Sequence, residues 1–253
     1  PVGITETGPG VYLVDFGENL TGWVETRVRG SRGQTVELQF NEVLKADGSL
    51  DTQNSTWHTR GRYQTELLIL GGDGEETFEP RFPYHGFRYM QVRGLDYKPA
   101  PEDFTAKCVH TDLQRAGNFS CSMDKLNDLN AAVCRTLLNA VHGIPGEEPT
   151  REKMGWTLDA AVVMESYLYN FDALNTYKKA LRDFQDSQSP AGHIPSTVPS
   201  GGDMSMKTEA SIIGTIRGGA DPYFCWPINY TFTPGMPACW SLRFPHSKHM
   251  WIF

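Results

Sequence analysis

The sequence predicts a β-then-α chain, an N-terminal antiparallel β-sandwich followed by the opening of a helical domain. A change of period carries the prediction. Residues 1–108 hold short runs rich in β-branched and aromatic residues, punctuated by Gly and Asp. From Ser122 the apolar residues recur at helical spacing instead. A third observation sets a limit: the tail after Ser200 keeps neither period and concentrates Trp, Cys, Pro and Met.

In chain order, the strand candidates are GVYLVDFG (10–17), GWVETRVRG (22–30), QTVELQFNEVL (34–44), GRYQTELLIL (61–70) and GFRYMQVRGL (86–95). In the second, Trp23, Glu25 and Arg27 alternate with Val24, Thr26 and Val28, which places one set on each face of a strand. Turns are expected at Gly30, Gly33, Ala46–Gly48 and Gly71–Gly74. Strands and turns at this spacing fit a sandwich. The character changes between Cys108 and Gly117. Met123, Leu126, Leu129, Val133 and Leu137 then make one apolar stripe, with Ser122 as N-cap and Gly143 past the end. A second helix is expected from a Thr157 cap to about Tyr169. A third follows Asp172, with Leu174, Tyr177, Leu181 and Phe184 on one face, and stops at Pro190 and Gly192.

Composition excludes several function classes. With 39% apolar and 11% aromatic residues, the 253-residue chain can build a core and is not disordered as a whole. The net charge is −7, the signs are interspersed and no basic stripe occurs, which argues against a nucleic-acid partner. No apolar run reaches the length of a membrane span. The N-terminus PVGITETGPG lacks the regions of a signal peptide and an initiator Met, so a fragment or a processed chain is expected. Cys108, Cys121, Cys134, Cys225 and Cys239 form no CxxC, and no His cluster has zinc spacing, so no metal and no cofactor are expected. The first three cysteines read as free buried thiols. For the tail, reading plausible codons one base over permits a helix-like text containing WNDPWWGG. The expectation is that residues from about 202 onward are out of frame.

The stretch GIPGEEPTREKMGWTLDAA, residues 143–161, gathers Glu147, Glu148, Glu152 and Asp159 around a Trp. Each has a plain structural reading. Glu147 and Glu148 belong to a solvated loop, Glu152 pairs with Arg151 or Lys153, Asp159 sits against a helix dipole, and Trp156 belongs to the core. The chemical reading is glycoside hydrolysis, in which one carboxyl gives its proton to the leaving oxygen and another activates water or attacks. An aromatic wall both stacks on a sugar and desolvates a carboxyl.

The segments DFGENLTGWVETRVRG, FNEVLKADGSL, FEPRFPYHGFRYMQVRG, GNFSCSMDKLNDL and EEPTREKMGWTLDA, in this order, resemble the bacterial α-L-rhamnosidases of glycoside hydrolase family 78 over roughly residues 10–200. The resemblance implies a β-sandwich (1–108), the first helices of an (α/α)6 toroid (109–201) and the unassigned tail (202–253). It implies an inverting hydrolase acting on rhamnose-containing glycans or glycosides. Glu152 falls on the general acid. Asp159 falls on the Asp that binds rhamnose or orients the acid. Arg151 is expected to pair with a pocket carboxylate and Trp156 to wall the pocket. Glu147 stands where the family usually has an Asp that grips sugar hydroxyls, and Glu148-Pro149-Thr150 replaces its Cys-Pro-Gln. The family's general base is a Glu far downstream, outside this chain, so the isolated chain is expected to be inactive. The competing reading is a carbohydrate-binding module using Trp23, Trp57, Tyr84 and Phe87. His85 reads as a hydrogen-bonded structural residue, and His193 lies on a loop that could reach the pocket rim. Periplasmic, secreted and cytoplasmic locations all stay open.

Overall fold

The computed structural model describes residues 1–53, 62–190, 194–199, 240–243 and 249–252. Two compact units divide it, residues 1–212 and 213–253. In the first unit, seven strands form one antiparallel sheet: β1 (Gly3–Gly8), β2 (Val11–Arg29), β3 (Thr35–Asn41), β4 (Thr65–Ile69), β5 (Glu75–Phe78), β6 (His85–Arg93) and β7 (Phe104–Cys108). The path β1-β2-β6-β3-β4 forms its backbone, and β5 and β7 also pair with β2.

The long β2 explains the shape. The sequence reads as two strands broken at Gly17 and Gly22, but the chain runs through both. The register against β6 shifts between Asp15 and Leu20, and Gly17 supplies a φ of 88° within that irregularity. Residues 11–15 pair with β1 and β6, whereas residues 22–29 pair with β7 and β5. Side chains from both halves, Val14 as well as Val24 and Val28, enter one core with Leu38, Phe40 and Met90. The sheet therefore curls around β2 to enclose its own apolar face.

Three helices follow among the described residues: α1 (Asp124–Asn139), α2 (Thr157–Asn170) and α3 (Leu174–Asp186). None is long and apolar enough to cross a membrane. The capping expectations need correction. Met123, not Ser122, holds the N-cap of α1 and makes no side-chain cap. The preceding turn is fastened by Asn127, which bonds both the N–H and the carbonyl of Cys121 at 2.9 Å. Thr157 is the first residue of α2, and its hydroxyl donates to the Pro195 and Ser196 carbonyls rather than capping. The α1 stripe is only partly covered: Leu137 is buried, while Met123, Leu126 and Leu129 stay exposed. Of the first three thiols only Cys134 is buried; Cys108 is exposed and Cys121 intermediate.

Helices α2 and α3 pack through Ala160, Ala180 and Phe184, with Ile194 and Val198 completing the cluster. Tyr167 donates to the Leu137 carbonyl at 2.5 Å, and Tyr177 to that of Ala160 at 3.1 Å. In the second unit, β8 (Trp240–Arg243) and β9 (His249–Ile252) form an antiparallel hairpin. The expected frame break at about 202 lies outside the described residues, apart from these two strands.

Candidate active site

The acid-rich segment is the connection from α1 to α2, and the sheet shapes it from one side. Gly146 takes φ 79°, and a Cβ there would stand 2.5 Å from the Ala160 nitrogen, so the loop lies flat on the start of α2. At the other contact, a Cβ on Gly86 of β6 would meet the Thr150 hydroxyl at 2.5 Å and the Thr150 nitrogen at 3.2 Å. Backbone bonds close the end of the loop: Lys153 N–H donates to the Glu148 carbonyl at 3.0 Å, and Val198 N–H to that of Gly155 at 2.8 Å.

Glu147 is buried, with its side chain 3% exposed. Tyr84 Oη lies 3.1 Å from each of its carboxylate oxygens. His142 Nδ1 abuts Oε1, an approach that is closer than it is aligned, since among the described residues the nitrogen has no hydrogen bond of good geometry. The other ring nitrogen, Nε2, donates to the Val109 carbonyl at 2.6 Å. The imidazole stacks on the Tyr84 ring at 4.2 Å with planes 7° apart. Lys153 Nζ lies 4.5 Å from the same ring centroid and donates to the Tyr84 carbonyl.

Around this knot the sheet supplies further groups. Tyr63 lies under Lys153, at 5.9 Å from Nζ to the ring centroid, and its buried hydroxyl has no hydrogen-bond partner among the described residues. Burial pushes the Tyr63 phenol up, and the negative charges of Glu148 and Glu152 push it further. Burial likewise raises the Tyr84 phenol, with Glu147 next, and raises Glu42, which also faces the charge of Glu148. Lys153 moves down by burial, against the pull of Glu147, Glu148 and Glu66. His85 is 5% exposed and stacks on Phe40 at 4.4 Å. Its nitrogens meet Gln64 Oε1 at 3.0 Å and Glu66 Oε1 at 2.9 Å, a hydrogen-bonded position of the kind expected for a structural His.

Glu152 occupies the turn before Lys153, partly buried and close enough to Tyr63 for its charge to act there. Arg151 Nε donates to Glu148 Oε2 at 3.1 Å, both side chains about a third exposed. Trp156 is partly buried, holds the N-cap position of α2 and bridges to Thr197 through the backbone. Asp159 is exposed on the first turn of α2. The loop thus gathers Glu147, Glu148, Arg151 and Glu152, while Trp156 and Asp159 follow at the helix start.

Sequence reasoning missed Glu42, Tyr63, Glu66, His142 and Lys153 as members of this patch. Only Lys153 carried a local signal, as a neighbour of Glu152. The aromatic platform expected of a binding module is not there among the described residues. Phe87 is fully buried between Phe16 and Phe40, Tyr84 is taken up by His142 and Glu147, and Trp23 is partly buried with its indole N–H on Glu79. Trp57 and His193 lie outside the described residues.

Comparison with known proteins joins these two regions. The profile of the bacterial alpha-L-rhamnosidase concanavalin-like domain matches residues 5–110. That of the bacterial alpha-L-rhamnosidase 6 hairpin glycosidase domain matches residues 114–220. An alpha-L-rhamnosidase of Formosa agariphila is 38% identical over 195 residues, 76% of this chain and 20% of that protein. One from Streptomyces avermitilis is 35% identical over 202 residues, 79% of this chain and 19% of that protein. The chain therefore spans about a fifth of the length of these relatives. Among solved structures, an alpha-L-rhamnosidase from Dictyoglumus thermophilum superposes with a TM-score of 0.74 at 34% identity, covering 79% of this chain and 22% of that one. The Streptomyces avermitilis alpha-L-rhamnosidase complexed with L-rhamnose gives the same TM-score and identity, covering 79% of this chain and 19% of that one.

Proposed function

The chain belongs to the bacterial α-L-rhamnosidases of glycoside hydrolase family 78, and from that premise we propose that its complete protein hydrolyses terminal α-L-rhamnosyl residues with inversion, Glu152 serving as general acid. The supporting observation is the place of Glu152: a partly buried turn whose charge reaches Tyr63, on a loop pinned between the sheet and the start of α2. A general acid must be held within reach of the leaving oxygen while still carrying its proton. A backbone fixed on two sides meets the positioning half of that demand. Asp159 and Trp156, at the head of α2, line the sugar side. Arg151, paired with Glu148, contributes positive charge at the rim.

Inversion requires a second carboxylate that activates water on the far face of the sugar, with room for that water between the two. That base belongs to a part of the protein beyond these 253 residues. The present chain alone is therefore expected to release no rhamnose.

The test uses the complete protein and an aryl α-L-rhamnoside with a poor leaving group. Glu152→Gln is expected to lower kcat by about two to three orders of magnitude, the usual weight of a positioned proton donor. An activated dinitrophenyl rhamnoside, which leaves without protonation, should lose much less. NMR of the first-formed sugar should show the β anomer. Full activity in Glu152→Gln removes the acid assignment, and an α first product removes inversion.

A further inference from the structure

We infer that Tyr84 and His142 are positioning residues which, through Glu147, hold the turn that carries Glu152. The inference rests on the reading of Glu152 as general acid and adds a role for the N-terminal sheet in presenting it. Tyr84 stands immediately before β6 and grips the loop on either side of Glu152. Its hydroxyl reaches both oxygens of Glu147 at 3.1 Å, and its carbonyl accepts from Lys153 Nζ. Gly86, two residues on, lets Thr150 approach as a third contact.

Glu147 is held from two sides. One phenol spans both oxygens, an imidazole nitrogen presses on Oε1, and the side chain is 3% exposed. The tautomer of His142 is fixed by its Nε2 bond to the Val109 carbonyl, so Nδ1 meets the carboxylate with at most one proton between them. Stacking at 4.2 Å keeps the imidazole and the phenol as one rigid pair, one from the sheet side and one from the loop. A ring pair that is buried and bonded at both ends has few rotamers to lose, and so orders the loop at low entropic cost.

Tyr84→Phe in the complete enzyme keeps the ring and removes only the hydroxyl. The kcat on a poor-leaving-group aryl rhamnoside is expected to fall about tenfold with KM unchanged, and the fall should exceed that on the dinitrophenyl substrate at least several-fold. In the 253-residue chain, amides 147–153 of Tyr84→Phe should exchange faster with deuterium. A KM rise at constant kcat on both substrates shows that Tyr84 serves sugar binding and not the placement of the acid, and overturns the inference. Unchanged kcat and unchanged exchange overturn it too. Glu147→Gln, of the same shape, repeats both readouts should Tyr84→Phe not fold. Glu152→Gln separates the two readings. If it keeps full kcat, the acid assignment fails and exchange alone decides whether Tyr84 anchors the loop. If it collapses while Tyr84→Phe and Glu147→Gln are silent, only the positioning role fails.

Discussion

Glu42 shows what a single carboxyl reports about this patch. Burial raises its pKa above the usual 4.5 and the charge of Glu148 adds to the rise. The folded state then binds this proton more tightly than the unfolded chain. Its contribution to stability is complete below pH 4.5 and is lost as pH rises through the folded-state value. Glu42→Gln should therefore raise Tm by a few degrees at pH 7 and leave it unchanged at pH 4, by calorimetry at both values. An equal effect at the two pH values refutes the account. At this scale the sequence was half legible. The cluster Glu147–Arg151–Glu152 could be read because its members are neighbours in the chain. Glu42, Tyr63 and Glu66 could not, because strand pairing brings them in from far away, and no local period records which strand will lie beside a loop; His142 is only five residues before Glu147, but nothing in its spacing marks it as a partner.

At the scale of elements, Asn139 decides how α1 meets the sheet. Its Oδ1 accepts the buried Thr21 N–H at 3.1 Å, its carbonyl accepts the Thr21 hydroxyl at 3.0 Å, and its amide donates to the Asn19 carbonyl at 3.3 Å. Asn139→Ala leaves the Thr21 N–H without its partner in a buried place, at a cost of about 1–3 kcal/mol. Urea unfolding should show that loss in the midpoint with the slope unchanged. A loss below the error of the midpoint would mean that the helix is held by other contacts. The helices were legible because their stripes are long and periodic. β5 and β7 were not, since Glu75–Phe78 and Phe104–Cys108 are short and become strands only by pairing with β2. The continuity of β2 was hidden for a different reason. Gly17 ends one strand candidate and Gly22 opens the next, and the paired strand uses Gly17 at its irregularity.

For the whole molecule, the order of regions followed from one switch of period near Cys108, but not the interlock between them, which runs through Asn139, His142 and Tyr84. The out-of-frame tail stays a proposal that the gene's nucleotide sequence tests directly. The exposed apolar side chains carry the last prediction. Met123, at the N-cap of α1, and Leu126 and Leu129 within it lie three residues apart and are 57%, 42% and 57% exposed. Residues at that spacing share a helix face. Val162 and Tyr169 on α2 are also exposed, at 63% and 66%. A stripe of this kind seeks apolar cover, and in dilute solution the nearest cover is another copy. The 253-residue chain is therefore expected to self-associate with rising concentration in sedimentation velocity. Replacing two leucines, Leu126→Lys with Leu129→Lys, should weaken that association by about an order of magnitude or more. Tm at low concentration should hold, since neither leucine supports the core of the monomer. A wild-type chain that stays monomeric at every concentration, or a double variant that associates as strongly, shows that this face does not drive association.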